Sequence, residues 1–258
     1  MNNYKDKSDV DLTLSKVPEL TLIFWVIKIL ATTLGETAGD ALSMSMEFGY
    51  LLSTTIFAAI FLVAVIAQIQ SKQFHPYLYW ATIIATTTVG TTLADYATRS
   101  LGIGYTGGSA LLLGLLLISL LVWYKSLGSV SVSSLNSPKA EMFYWVTIMF
   151  SQTLGTALGD WTADTAGLGY LGAAFIFSAL LASIIYANYM TSLSKTMLFW
   201  IAFILTRPLG AVVGDFLDKP IAHGGLAFSR YTASIALIAV IIACLFVFPQ
   251  HASKSTSH

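Results

Sequence analysis

Long apolar stretches separated by short polar connections make up most of the chain. The first pair runs from Pro18 to Ala41 and from about Tyr50 to Ile69. Both stretches approach the roughly 20 residues that an α-helix needs to cross the hydrocarbon core of a bilayer. Equivalent pairs follow at 77–97 with 107–124, 142–162 with 171–190, and 197–216 with 229–248. The pattern therefore predicts eight transmembrane helices, since a backbone in lipid must satisfy its own hydrogen bonds.

A tryptophan near the start of each pair marks an internal repeat. A glycine follows the tryptophan after ten residues, an aspartate after fifteen and a second glycine after 24. The copies are Trp25, Gly35, Asp40 and Gly49; Trp80, Gly90, Asp95 and Gly104; Trp145, Gly155, Asp160 and Gly169; and Trp200, Gly210, Asp215 and Gly224. Such regular spacing indicates four copies of one two-helix unit.

Two helices per copy bring every repeat into the membrane from the same side, so the repeats are parallel. We predict an all-α, polytopic transmembrane bundle of four tandem parallel two-helix repeats. Its expected divisions are an N-terminal tail (1–17), repeats 1 and 2 (18–125), a flexible linker rich in Ser and Gly (126–137), repeats 3 and 4 (138–248) and a C-terminal tail (249–258). All four aspartates are then expected at nearly the same depth.

The composition supports lipid as the surrounding solvent. Hydrophobic residues make up 56% of the chain and charged residues only 10%, whereas a soluble domain carries about 25% charged residues. The formal net charge is zero, so we expect no nucleic-acid partner. A single cysteine, Cys244, excludes an internal disulfide and a thiolate metal cluster. The expected partners are the bilayer and a small cation, and a homo-oligomer is left open.

Basic residues in the loops predict the orientation of the bundle. The side of the N-terminus and of the connections between repeats carries most of the lysines, whereas the opposite side has only Arg99, Lys219 and Arg230. The excess of lysines favours cytoplasmic placement of both termini. We expect a bacterial plasma (inner) membrane protein. The polar N-terminal segment lacks the pattern of a cleaved signal peptide.

The repeated core reads GETAGD, GTTLAD, GTALGD and GAVVGD. Small residues four positions apart lie on one helix face and allow another helix to approach closely. The glycines assigned to helix packing are Gly35, Gly39, Gly90, Gly155, Gly159, Gly210 and Gly214. The first helices are therefore expected to form an inner set, and the second helices a shell that faces lipid.

The repeated aspartates are the candidate functional residues. A carboxylate inside a membrane costs about 2.5–3.5 kcal/mol on insertion scales, and four at one depth repel one another unless a proton or a cation balances them. Glu36 lies one turn before Asp40, and Asp164 one turn after Asp160. The candidate cation or proton site comprises Glu36, Asp40, Asp95, Asp160, Asp164 and Asp215, and its metal ligands would be the same residues without Asp164.

Oxygen ligands alone favour hard ions such as Mg²⁺, Mn²⁺ or Ca²⁺, so we expect no cofactor other than a bound divalent cation. Eight acids against three bases give the predicted outer half of the bundle a net charge of −5, which would concentrate cations. Arg207 is a candidate counter-ion or gate. Lys28 either extends to the cytoplasmic surface or forms a salt bridge inside the bundle.

Structural interpretations stand beside these functional ones. The aspartates could end their helices at the membrane surface and face water, because Gly-Asp is ordinary turn chemistry. The tryptophans are expected mainly in an interfacial belt, with an inner-face role as the alternative. The glycine that follows each aspartate is expected to turn the chain back into the membrane.

The pattern FW-x-x-K-x-x-A-T-T-x-G-E-T-x-x-D and its later copies, over roughly residues 16–248, resembles a family of uncharacterised bacterial repeat-containing polytopic membrane proteins. The resemblance implies the membrane repeat architecture and no activity. The G-x-x-x-G-D element is also faintly similar to acidic glycine motifs of cation/proton exchangers.

The leading hypothesis is a transporter or channel for a divalent cation, and proton coupling through the same carboxylates is part of this hypothesis. The alternatives are a structural or assembly protein of the membrane without transport, and an intramembrane metal-dependent enzyme. We do not expect an enzyme, because no serine–histidine, HExxH or histidine-rich set accompanies the acids.

Overall fold

A computed structural model describes residues 14–132, 135 and 137–254. Within this part of the chain, eight α-helices carry the fold and two short strands pair near the termini. The helices are α1 (Leu22–Asp40), α2 (Gly49–Gln70), α3 (Pro76–Asp95), α4 (Gly104–Leu127), α5 (Pro138–Asp160), α6 (Gly169–Met190), α7 (Lys195–Asp218) and α8 (Arg230–Val247), and the strands are β1 (Leu14–Pro18) and β2 (Ala252–Lys254).

Six of these helices are long and apolar enough to cross a membrane. The other two, α3 and α5, are 20 and 23 residues long but less apolar. Threonines contribute to the polarity of α3, and their hydroxyls bond back to the helix itself, as Thr82 Oγ1 does to the Leu78 carbonyl at 2.7 Å. The predicted all-α transmembrane bundle of four two-helix repeats is confirmed.

The first helices of the repeats form a closed ring. Helix α1 packs against α3 and α7, and α5 packs against the same two neighbours. Each second helix packs on the first helix of the next repeat: α2 on α3, α4 on α5, and α6 on α7. The last helix, α8, packs on α1 and so closes the cycle. The bundle therefore has approximate fourfold symmetry about an axis between the first helices.

Burial separates the two sets of helices as predicted. In α1 and α7, 61% and 67% of the residues in the apolar segment are buried inside the bundle. In α2, α4, α6 and α8 the buried share of the apolar segment is only 11–22%. The second helices expose apolar side chains such as Leu62, Leu117 and Phe175, so they form the surface that faces lipid.

The glycine ten residues after each tryptophan determines how closely neighbouring inner helices approach. A methyl group on Gly35 would overlap Thr87 of the next repeat, and one on Gly90 would meet Gln152. The same contact repeats between Gly155 and Arg207, and between Gly210 and Thr32. The residue contacted always lies seven positions after its own tryptophan, so one contact is used four times around the ring.

Three of the four repeat tryptophans lie inside the ring, which supports the inner-face alternative over the interfacial belt, and the fourth, Trp25, is partly exposed. Trp80, Trp145 and Trp200 are at most 5% exposed. The residue before each tryptophan packs on the tryptophan of the next repeat, with ring centroids 5.4–6.2 Å apart. The members of this aromatic layer are Phe24, Trp25, Tyr79, Trp80, Tyr144, Trp145, Phe199 and Trp200.

Strands β1 and β2 pair antiparallel, so both described ends of the chain lie on one side of the bundle, here called the terminal face. Residues between α4 and α5 also pack there: Val132 and Leu135 are buried, and Ser15 Oγ donates to the Val132 carbonyl. Residues 1–13, 133, 134, 136 and 255–258, which belong to the predicted tails and flexible linker, lie outside the described residues.

On the opposite side, here called the acidic face, three inner helices continue past their aspartate into one π-helical turn. These turns are Ala41–Ser45, Tyr96–Ser100 and Trp161–Thr165. The second helix then begins at a glycine with positive φ, at Gly49, Gly104 and Gly169. Glycine adopts this conformation without steric cost, which explains its recurrence at the turn. In the fourth repeat, α7 ends at Asp218 and a 3₁₀ turn follows at Ile221–His223.

Candidate functional site

Three successive positions on the inner helices, four residues apart, carry side chains that are buried in the ring, and all of them except Ala211 are polar. They lie seven, eleven and fifteen residues after each tryptophan. In chain order the three layers are Thr32, Thr87, Gln152 and Arg207; Glu36, Thr91, Thr156 and Ala211; and Asp40, Asp95, Asp160 and Asp215. Every member is at most 3% exposed. The polar column therefore lies within the bundle, and the aspartates do not face bulk water.

Glu36, Asp160 and Asp215 form the deeper of two carboxylate groups, here called the inner group. Each offers an oxygen within 4.8 Å of the others, although the three residues come from α1, α5 and α7. Such separations are compatible with one shared cation, because carboxylate oxygens bind Ca²⁺ at 2.3–2.6 Å. Asp95 lies outside this group and pairs with Arg99 at 2.8 Å.

A second carboxylate group, here called the outer group, lies toward the acidic face. It comprises Asp40, Asp215 and Asp218, again with oxygens within 4.8 Å of one another. Asp215 belongs to both groups. Asp164, a sequence candidate, is exposed and belongs to neither. One carboxylate thus connects two adjacent positions that could hold a cation.

Arg207 joins all four inner helices at the centre of the polar column. Its guanidinium lies 3.0 Å from Glu36 Oε2. It also donates to the Thr32 and Thr87 carbonyls and to the hydroxyls of Thr91 and Thr156. Arg207 belongs to α7, whereas these partners belong to α1, α3 and α5. The side chain therefore crosses the axis and fills it below the carboxylates.

Arg99 and Lys219 bridge neighbouring aspartates of the ring. Arg99 lies 2.8 Å from Asp95 and 3.6 Å from Asp160. Lys219 lies 3.1 Å from Asp215 and 2.5 Å from Asp40. Both residues follow their tryptophan by nineteen positions and their own aspartate by four, so they reproduce the same bridge on opposite sides of the ring.

Sequence reasoning counted Arg99 and Lys219 only as loop charges and missed this role. The signal was present, since a basic residue four positions after an aspartate lies on the same helix face. Burial opposes the charge of Lys219, but the carboxylates of Asp215, Asp40 and Asp218 outweigh that effect and raise the pKa of Lys219 above its ordinary value. The surrounding carboxylates therefore stabilise the charged form of the Lys219 amino group.

The bridges change the electrostatic picture of the acidic face. Arg230 adds a further pair, with its Nε 2.6 Å from Asp218 Oδ2. Four bases (Arg99, Arg207, Lys219 and Arg230) thus pair with the carboxylates of Glu36, Asp40, Asp95, Asp160, Asp215 and Asp218. Six carboxylates and four bases leave this network with a formal charge of −2, and the exposed carboxylates of Glu47 and Asp164 lie outside it.

Lys28 does not reach the terminal face, so the expected surface placement is wrong. Its side chain is fully buried, and its ammonium nitrogen lies 4.1 Å from the centroid of the Phe203 ring. Among the described residues it has no hydrogen-bond partner and forms no salt bridge within 4.0 Å. The amino group lies over the face of this ring, in the geometry of a cation–π contact. Below Lys28, the aromatic layer closes the axis toward the terminal face.

The fold and the site define a class: a polytopic helical membrane protein with four parallel repeats, whose buried charges meet at one axis. The family described as "Repeat of Unknown Function (DUF347)" matches the chain four times, at residues 23–74, 78–128, 143–194 and 198–250. The chain belongs to this family. Each match begins two residues before the tryptophan of its repeat. No curated protein and no solved structure shows significant similarity to the chain.

Proposed function

We propose that the protein is a membrane transporter for a divalent cation such as Mn²⁺, Mg²⁺ or Ca²⁺. The observation that carries the proposal is the inner group, in which Glu36, Asp160 and Asp215 bring oxygens from three helices within 4.8 Å of one another inside the bundle. Three such carboxylates in a region of low dielectric repel one another, and a bound cation removes that repulsion. A ligand set of oxygens alone favours hard cations.

The closed axis favours a transporter over an open channel. Arg207 fills the axis below the carboxylates, and the aromatic layer closes it further toward the terminal face. An ion bound among the carboxylates would reach the other side only after these side chains move, which is a feature of alternating access. Protons that balance the carboxylates in the absence of the ion would leave when it binds, and this exchange would couple transport to protons.

The proposed location is a bacterial inner membrane with both termini in the cytoplasm. Lysines such as Lys72, Lys125 and Lys195 lie on the terminal side of the helices. The basic residues of the acidic face are held in ion pairs with carboxylates. The positive-inside rule then orients the terminal face toward the cytoplasm.

Asp160 offers a sharp test of transport because a matched control lies four residues away. Asp160 belongs to the inner group, and among the described residues its one ion pair is with Arg99, which keeps Asp95 as a closer partner. We expect Asp160→Asn to fold and to abolish uptake of Mn²⁺ into liposomes that contain the purified protein. Asp164→Asn removes an equal charge from an exposed position and should leave uptake unchanged. Equal uptake by wild type and Asp160→Asn would overturn the proposal.

A structural role without transport is the second candidate, and the basic partners favour it. Arg99, Arg207 and Lys219 each connect carboxylates or hydroxyls from different inner helices, so the network could serve only to hold the ring together. This role predicts no uptake by the wild type and no effect of Mn²⁺ on its thermal unfolding. The transport proposal predicts that Mn²⁺ raises the melting temperature, because a ligand that binds the native state stabilises it.

A further inference from the structure

Two oxygens of the outer group lack partners. Asp40 Oδ1 and Asp218 Oδ1 are buried, and among the described residues neither has a hydrogen-bond partner. The second oxygen of each carboxylate is used: Lys219 and Arg230 contact Asp40 Oδ2, and Arg230 contacts Asp218 Oδ2. A buried carboxylate oxygen without a donor or a cation is costly. The outer group therefore offers free ligand oxygens beside those already in use.

The ammonium group of Lys219 already lies among these carboxylates. It is 2.5 Å from Asp40 Oδ2 and 3.1 Å from Asp215 Oδ1. Lys219 follows the last residue of α7 and has an extended backbone conformation. Its side chain is 14% exposed, so it has a route toward the acidic face. A lysine is a flexible point charge with four methylene groups, and it can leave a carboxylate pair without moving the helix.

We propose that Asp40, Asp215 and Asp218 form a second, outer cation position, which Lys219 fills in the absence of the ion and leaves when a divalent cation binds. The inference rests on the proposed function, because it assigns a further position to the same transported ion. Asp215 joins the two positions, so an ion entering from the acidic face would meet the outer group before the inner one. The ammonium group and the incoming ion then exclude each other at the outer position.

The equivalent place on the other side of the ring lacks the third carboxylate. Arg99 corresponds to Lys219, but Thr98 stands where Asp218 stands in the fourth repeat. Thr98 uses its hydroxyl to bond the Ala94 carbonyl of its own helix. Among the described residues, an outer position of three carboxylates is found at the contact between the fourth and first repeats and at no other junction.

Binding of Mn²⁺ to the purified full-length protein, followed by electron paramagnetic resonance, tests this competition. We expect Lys219→Met to bind Mn²⁺ roughly tenfold or more tightly than the wild type, because it removes a positive charge that contacts two of the ligands. Lys219→Arg keeps that charge and should bind like the wild type. Lys195→Met removes a distant, exposed lysine and should also bind like the wild type. Adding Asp218→Asn to Lys219→Met should abolish the gain.

The outcomes separate this inference from the proposed function. Binding by the wild type with equal or weaker binding by Lys219→Met would overturn the competition alone. No Mn²⁺ binding by the wild type or by any variant would overturn both the competition and the cation site. Thermal unfolding confirms that each variant is folded. Lys219→Gln, which retains a donor at the same position, replaces the methionine variant if that variant does not fold.

Discussion

At the residue scale, Arg207 is the side chain on which the central polar network depends. It pairs with Glu36 at 3.0 Å and bonds the hydroxyls of Thr91 and Thr156. Replacing it by methionine leaves Glu36 buried without its counter-charge. Losing one partner of a buried ion pair costs about 3–5 kcal/mol. We therefore expect Arg207→Met to reduce the free energy of unfolding by that amount, measured by reversible denaturation in mixed micelles.

A double variant distinguishes the ion pair from simple packing. Glu36→Gln in the Arg207→Met background removes the uncompensated negative charge, so the double variant should be more stable than Arg207→Met alone. The coupling energy between the two positions should lie at about 0.5–3 kcal/mol, the range for residues in direct contact. Strictly additive losses would show that Arg207 acts through its volume and its bonds to threonine, and not through Glu36.

At the scale of the element, the close approach of inner helices depends on the repeated glycine. A methyl group on Gly35 would overlap the Thr87 side chain and lie 2.9 Å from the Thr87 carbonyl carbon. Overpacking of this kind costs about 1–3 kcal/mol. Gly114 in α4 has no such neighbour within 4 Å. We expect Gly35→Ala to lower the melting temperature, and Gly114→Ala to leave it unchanged or raise it through helix propensity.

Equal effects of the two substitutions would mean that the ring tolerates wider spacing between α1 and α3. The same comparison extends to Gly90, Gly155 and Gly210, which make the equivalent contacts. Gly155 should be the most sensitive of these sites, because its contact is the stem of Arg207. A bulkier residue there would displace the guanidinium from Glu36 as well as separate the helices.

Sequence periodicity was sufficient to predict the helices, the repeats and the division into inner and outer sets. It could not predict which neighbour each helix contacts, because packing α2 on α3 or on α1 gives the same one-dimensional pattern. The sequence left the position of the tryptophans open, because a residue at the end of an apolar run fits both an interfacial belt and a buried layer. The pairing of Lys219 with Asp40 joins residues 179 positions apart, and only the closure of the ring brings them together.

At the scale of the whole molecule, the repeats form a cycle that the covalent chain leaves open at one point. Three of the four contacts between successive repeats have a covalent connection, whereas the contact between the fourth and first repeats relies on the packing of α7 and α8 on α1 and on the pairing of β1 with β2. Thr37 and Ser234 add a hydrogen bond of 2.9 Å between these two helices. The outer carboxylate group lies at this same junction, since Asp40 belongs to the first repeat and Asp215 to the fourth.

The closed cycle predicts that the chain can begin at another repeat. Because the repeats are parallel, a permutant that starts at Leu193 and ends at Ser192, with His258 joined to Met1, keeps every helix in its original direction. The break falls in the exposed connection between α6 and α7, and the native tails supply the new connection between β2 and β1. We expect this permutant to be monodisperse in detergent and to bind Mn²⁺ like the original chain if the cation proposal holds.

A break inside α6, between Ala182 and Ser183, serves as the control for this permutant. It should prevent folding, because backbone groups cannot be left unpaired in lipid. Failure of the first permutant alongside the control would show that folding requires the native order of repeats, and that a cyclic set of equivalent contacts is not enough to specify the bundle.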